Sequence, residues 1–82
     1  MNVYPNPFSD VTNLEFTVAN SAAVTMDVLN MLGEVVMTND FGTLSNGSHR
    51  TELDFSSIEA GLYFINLNVD GVTSTTKVTL TK

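Results

Sequence analysis

The stretch Tyr63-Phe64-Ile65-Asn66-Leu67-Asn68-Val69-Asp70-Gly71-Val72 decides the fold class. Tyr63, Ile65, Leu67 and Val69 fall on one side of an extended chain and Asn66 and Asn68 on the other. This is the period of two that marks a half-buried strand. Asp70-Gly71, held between two valines, has the composition of a two-residue type I′ turn. Both central residues of that turn need a positive φ, which aspartate tolerates and glycine adopts freely. A hairpin follows, whose second strand carries Val78 and Leu80 in alternation with Lys77, Thr79 and Thr81.

The same alternation recurs outward from this hairpin. Leu14, Phe16 and Val18 alternate with Glu15 and Thr17, Val24, Met26 and Val28 with Thr25 and Asp27, and Thr51, Leu53 and Phe55 with Glu52 and Asp54. Glu34 to Thr38 is a short valine-rich run. Asn20-Ser21, Asn30-Met31-Leu32-Gly33 and Ser45-Asn46-Gly47-Ser48 separate these runs, with Gly33 at the left-handed position of a short hairpin loop. No window carries an amphipathic helix of useful length. The spacing predicts an all-β domain, an immunoglobulin-like antiparallel β-sandwich of about seven short strands. Its expected core includes Phe16, Val18, Val28, Leu53, Ile65, Leu67, Val78 and Leu80.

Two segments stand apart. Ser56-Ser57-Ile58-Glu59 matches a capping box and predicts a single helical turn crossing between the sheets, stopped by Ala60-Gly61. Tyr63, just after it, is placed to hydrogen-bond back to the crossing backbone as a tyrosine corner. At the other end, residues 1–8 contain both prolines. They predict an extended N-terminal arm or edge strand leading into a sandwich over residues 9–82, with Tyr4 and Phe8 available to pack on it.

Composition narrows the function. The chain has 82 residues, room for one domain with a thin core. It has no cysteine, hence no disulfide framework and no thiolate metal site. The net charge of −6 argues against nucleic-acid binding and against an anionic membrane surface. Residues 1–70 hold nine acids against Arg50, and residues 71–82 hold Lys77 and Lys82 with no acid. No apolar run is long enough for a membrane-spanning helix, and Met1-Asn2-Val3 does not begin a signal peptide. An export signal would therefore lie on a larger parent protein.

Catalytic chemistry has little to work with. His49, the single histidine, lies in the polar stretch Gly47-Ser48-His49-Arg50 and reads as solvent-facing at a strand start. One histidine without cysteine cannot supply a zinc site. No EF-hand series is present, although Asp40, Asp54 and Asp70 leave open a weaker calcium site at an end of the sandwich. Neither catalytic residues nor a cofactor or metal site is expected. Asp40-Phe41-Gly42, Asn6-Pro7-Phe8 and Asn46-Gly47-Ser48 match a kinase tripeptide, a trafficking tripeptide and a glycosylation sequon, each without the context that would give it meaning.

Four strings coincide in order and spacing. They are Val3-Tyr4-Pro5-Asn6-Pro7-Phe8, Leu32-Gly33-Glu34-Val35-Val36, Leu53 through Ile65 with Ala60-Gly61-Leu62-Tyr63 inside it, and Thr76-Lys77-Val78-Thr79-Leu80-Thr81-Lys82. Together they resemble the type A C-terminal sorting domain of the type IX secretion system of Bacteroidetes-type Gram-negative bacteria, over essentially the whole chain. The close of the chain just after the lysine-flanked strand agrees, since such domains end their parent protein.

The resemblance implies a non-catalytic sorting signal. It is joined covalently to an N-terminal cargo, passes through the periplasm and is recognised by the outer-membrane type IX translocon. A sortase-like surface protease then cleaves it from its cargo, leaving the cargo at the outer-membrane surface or outside the cell. Tyr4, Pro5, Asn6, Pro7, Gly33, Gly61, Tyr63, Lys77 and Lys82 match the family's motifs. The alternative from another class is an extracellular β-sandwich module binding carbohydrate or protein, whose mark would be a row of exposed aromatics drawn from Tyr4, Phe41 and Phe64. Fold alone does not separate the two.

Overall fold

The computed structural model describes residues 1–81. Seven strands follow one another: β1 (Asn2–Tyr4), β2 (Val11–Val18), β3 (Ala22–Leu29), β4 (Val35–Leu44), β5 (Gly47–Asp54), β6 (Gly61–Val69) and β7 (Val72–Leu80). They form two antiparallel sheets, ordered β1-β2-β5 and β4-β3-β6-β7. This is the strand order of an immunoglobulin-like sandwich in which the fourth strand has joined the second sheet. Alternation along each strand sends one set of side chains between the sheets. All eight core residues expected from the pattern are buried, together with Phe8, Leu14, Val24, Met26, Phe55 and Tyr63.

The sharpest turn signals are realised. Val69 pairs with Val72 around Asp70 (φ 51°) and Gly71 (φ 84°), both left-handed as a type I′ turn requires. The β3–β4 loop places Gly33 at φ 82°. The Asn30 side chain organises it, its Oδ1 accepting from the Leu32 and Glu34 amides at 2.9 and 3.0 Å.

Three local readings change. Ser56–Glu59 is a hydrogen-bonded turn, not a helical one. The Ile58 amide donates to the Phe55 carbonyl at 3.0 Å, and the Asp54 carboxylate takes the Ser56 amide at 2.9 Å. With Gly61 opening β6 so soon, the segment has no length in which to nucleate a helix. The fourth strand does not stop at Thr38 but runs to Leu44. It passes Asp40-Phe41-Gly42 through a bulge in which Thr25 faces Asp40 and Val24 faces Gly42. His49 is half-buried instead of solvent-facing. Its ring stacks on Phe16 (centroids 5.7 Å apart), and its Nε2–H donates to the Ser45 carbonyl at 2.7 Å.

The N-terminal arm is part of the sandwich and spans both sheets. β1 pairs with β2 in one sheet, while Phe8 forms a parallel bridge with Leu80 at the edge of the other. Phe8 is only 3% exposed. It meets Phe55 edge-on at 4.9 Å, and Phe55 in turn meets Tyr63 at 6.0 Å. Thr12, buried among the apolar residues, satisfies its hydroxyl on the Pro5 carbonyl at 2.8 Å.

Candidate docking surface

Register decides which of the motif residues meet. The links 19–21, 45–46 and 70–71 lie at one end of the sandwich. The β3–β4 hairpin, the crossing 55–60, the arm and the end of β7 lie at the other, because Leu29 pairs with Phe64, Gly61 with Leu80 and Val11 with Asp54. Gly33, Gly61, Tyr63 and the Pro5-Asn6-Pro7 arm therefore gather at one end although 58 positions separate Pro5 from Tyr63 in sequence.

Their roles differ. Gly33 lets the hairpin turn. Tyr63 is buried and its hydroxyl donates to the Glu59 carbonyl at 2.6 Å, the expected tyrosine corner fixing the crossing. Asn6 faces β7: its side-chain amide donates to the Lys77 carbonyl at 3.2 Å and its Oδ1 accepts from the Thr79 amide at 3.1 Å. Tyr4 lies on the outer face of the first sheet, away from this group. It is 39% exposed, and its hydroxyl donates to Glu15 at 3.2 Å. Arg50, opposite Glu15, is pushed above its ordinary pKa, first by its hydrogen bond to Tyr4 and to a lesser degree by Glu15. Lys77 is exposed on edge strand β7, and Lys82 lies outside the described residues.

On the outer face of the second sheet, pairing aligns Val35, Leu29, Phe64 and Lys77 in one row across all four strands. Val35 is 56% exposed, Leu29 and Phe64 are half-buried, and Lys77 closes the row as a cation. The hairpin beyond the row carries Met31 and Leu32, exposed by 71% and 84%. An apolar surface rooted in a hairpin that Asn30 holds in shape is ordered before any partner arrives, so little ordering entropy opposes binding. The sequence marks Phe64 as an exposed-aromatic candidate but does not place it beside Leu29 and Val35, because a shared row appears only once register is known. Met31-Leu32 was visible as two large apolar residues inside a turn, where solvent-facing polar residues are the norm.

Other candidate chemistry does not assemble. Asp40, Asp54 and Asp70 do not converge, and no group of three or more histidine or acidic side chains gathers among the described residues. The three aromatics do not form a row. Tyr4 lies on the first sheet and Phe64 on the second, while Phe41 is half-buried against Phe16 with centroids 6.0 Å apart. Among the described residues, no helix is long and apolar enough to cross a membrane.

No curated protein matches the chain. A family model does, the secretion system C-terminal sorting domain, over residues 2–81. That span includes the arm, the hairpin, the tyrosine corner and the last strand, so no part of the fold just described lies outside the match. The chain belongs to the secretion system C-terminal sorting domain family, and its function is that of a sorting signal for type IX secretion, which directs an attached N-terminal cargo to the cell surface or beyond.

Proposed function

We propose that the translocon reads this domain as a folded object, through the outer face of the β4-β3-β6-β7 sheet at its hairpin end. The observation that carries this reading is the exposure of Met31 and Leu32 on a turn already fixed by Asn30. A domain whose task is to be recognised gains from presenting apolar side chains that need no further ordering. The row Val35–Leu29–Phe64 extends the contact, and Lys77 at its end favours a receptor with an acid at the matching rim.

In this reading the domain crosses the periplasm folded and engages the translocon by this face. At the surface a sortase-like protease separates it from its cargo. Tyr4, Pro5, Asn6, Pro7, Gly33, Gly61 and Tyr63 act through the fold, and Lys77 acts at the docking rim. The domain fused behind an exported reporter, in a host with type IX machinery, is expected to carry that reporter to the surface or medium. The reporter alone is expected to stay in the periplasm. Retention of the intact fusion inside the envelope would sink the reading.

A further inference from the structure

β7 is an edge strand, and its outward backbone groups would otherwise be open to pairing with another chain. From Lys77 to Thr81 the arm occupies them in sequence. Asn6 takes the Lys77 carbonyl and the Thr79 amide with its side chain, in the manner of a paired residue. The Phe8 amide then donates to the Thr79 carbonyl at 3.1 Å, and the Phe8 carbonyl accepts the Thr81 amide at 2.7 Å and the Thr81 hydroxyl at 3.2 Å. Below this ladder, the Phe8 ring is sealed against Phe55 in the core. The partners are 71 to 73 positions apart. The arm thus finds its place only when nearly the whole chain is present.

We propose that Pro5–Phe8 is a clasp that makes the order of the N-terminal junction depend on a complete last strand. This rests on the sorting reading only in that a cargo precedes the arm. A chain truncated before Thr79 leaves the arm only the Lys77 carbonyl of this ladder. Its junction peptide is then mobile, and the segment linking tag to cargo is open to proteases. With β7 complete, the same segment is held between both sheets, and the edge from Lys77 onward is closed to foreign strands. The clasp therefore marks intact tags from truncated ones at the point where tag and cargo meet.

Hydrogen exchange on the intact 82-residue chain tests this whatever a secretion assay reports. The amides of Phe8 and Thr81 are expected to exchange through one shared opening, at matching rates and with the same response to denaturant. Asn6→Ala is expected to speed both by about five- to tenfold. Met26 and Val28 in β3 keep their protection, and a new protease cut appears within residues 2–9. Independent opening of Phe8 and Thr81 in the intact chain overturns the proposal. So does a folded Asn6→Ala variant in which both amides exchange as before. Should that variant lose protection throughout, the intact-chain comparison alone decides.

Discussion

Along one side of the sandwich the two sheets are joined by backbone: β1 pairs with β2, the chain turns through Pro5 and Pro7, and Phe8 pairs with the edge of β7. Along the other side the sheets meet through side chains: Phe16 of β2 contacts Phe41 of β4 across the sandwich and stacks on its paired neighbour His49 of β5. The first side combines a buried ring with a ladder of hydrogen bonds drawn from opposite ends of the chain. The second relies on half-buried rings and the short 45–46 link. One side is a backbone closure between opposite ends of the chain, and the other is a side-chain contact within its first 49 residues.

Substitutions on the two sides should differ in their cost. Phe8→Ala empties a fully enclosed aromatic site and loosens the ladder, and is expected to cost about 3–5 kcal/mol in denaturant unfolding. Phe41→Ala, the matching change on the other side, is expected to cost only about 1–2 kcal/mol, because its ring already keeps part of its contact with water. Equal losses would contradict the distinction. Next in size is Tyr63→Phe, which keeps the Phe55 contact and loses the bond to the Glu59 carbonyl. A loss of about 1–2 kcal/mol is expected, with faster amide exchange across residues 55–60 as its signature. Smallest is Lys77→Gln: only the Lys77 carbonyl takes part in the closure, its side chain in neither, and stability should stay within about 0.5 kcal/mol of its starting value. A larger loss would give Lys77 a structural role that the row across β4-β3-β6-β7 does not predict.

Much of this was legible before any coordinates. Val69-Asp70-Gly71-Val72 and Gly33 specify their turns through local backbone requirements. Tyr63 announces a corner because a tyrosine opening a strand right after a sheet-to-sheet crossing has the carbonyls of that crossing within reach. The alternation in β2, β3, β6 and β7 is local too, and it identified the core. What was not legible depends on distance. Asn6 and Phe8 have partners more than 70 positions away, and nothing in a proline-containing arm announces which edge it will cover. β4 looked finished at Thr38 because the bulge at Asp40-Phe41-Gly42 interrupts the alternation by one residue. The row across the second sheet is hidden for a related reason, since Phe64 reads as a single exposed aromatic and Leu29 and Val35 as ordinary strand residues until pairing places the three side by side.

If the folded domain is recognised through its hairpin end, Leu32→Glu should block export without unfolding the sandwich. Leu32 is 84% exposed, so the substitution should leave the thermal melt and the β3 exchange pattern as they were. Secretion of a reporter carrying the wild-type or the Leu32→Glu domain is then compared in a host with type IX machinery. The wild-type fusion is expected to reach the surface or medium while the equally folded variant accumulates in the periplasm. Export of the variant at the wild-type rate would contradict it and move recognition to another face of the sandwich.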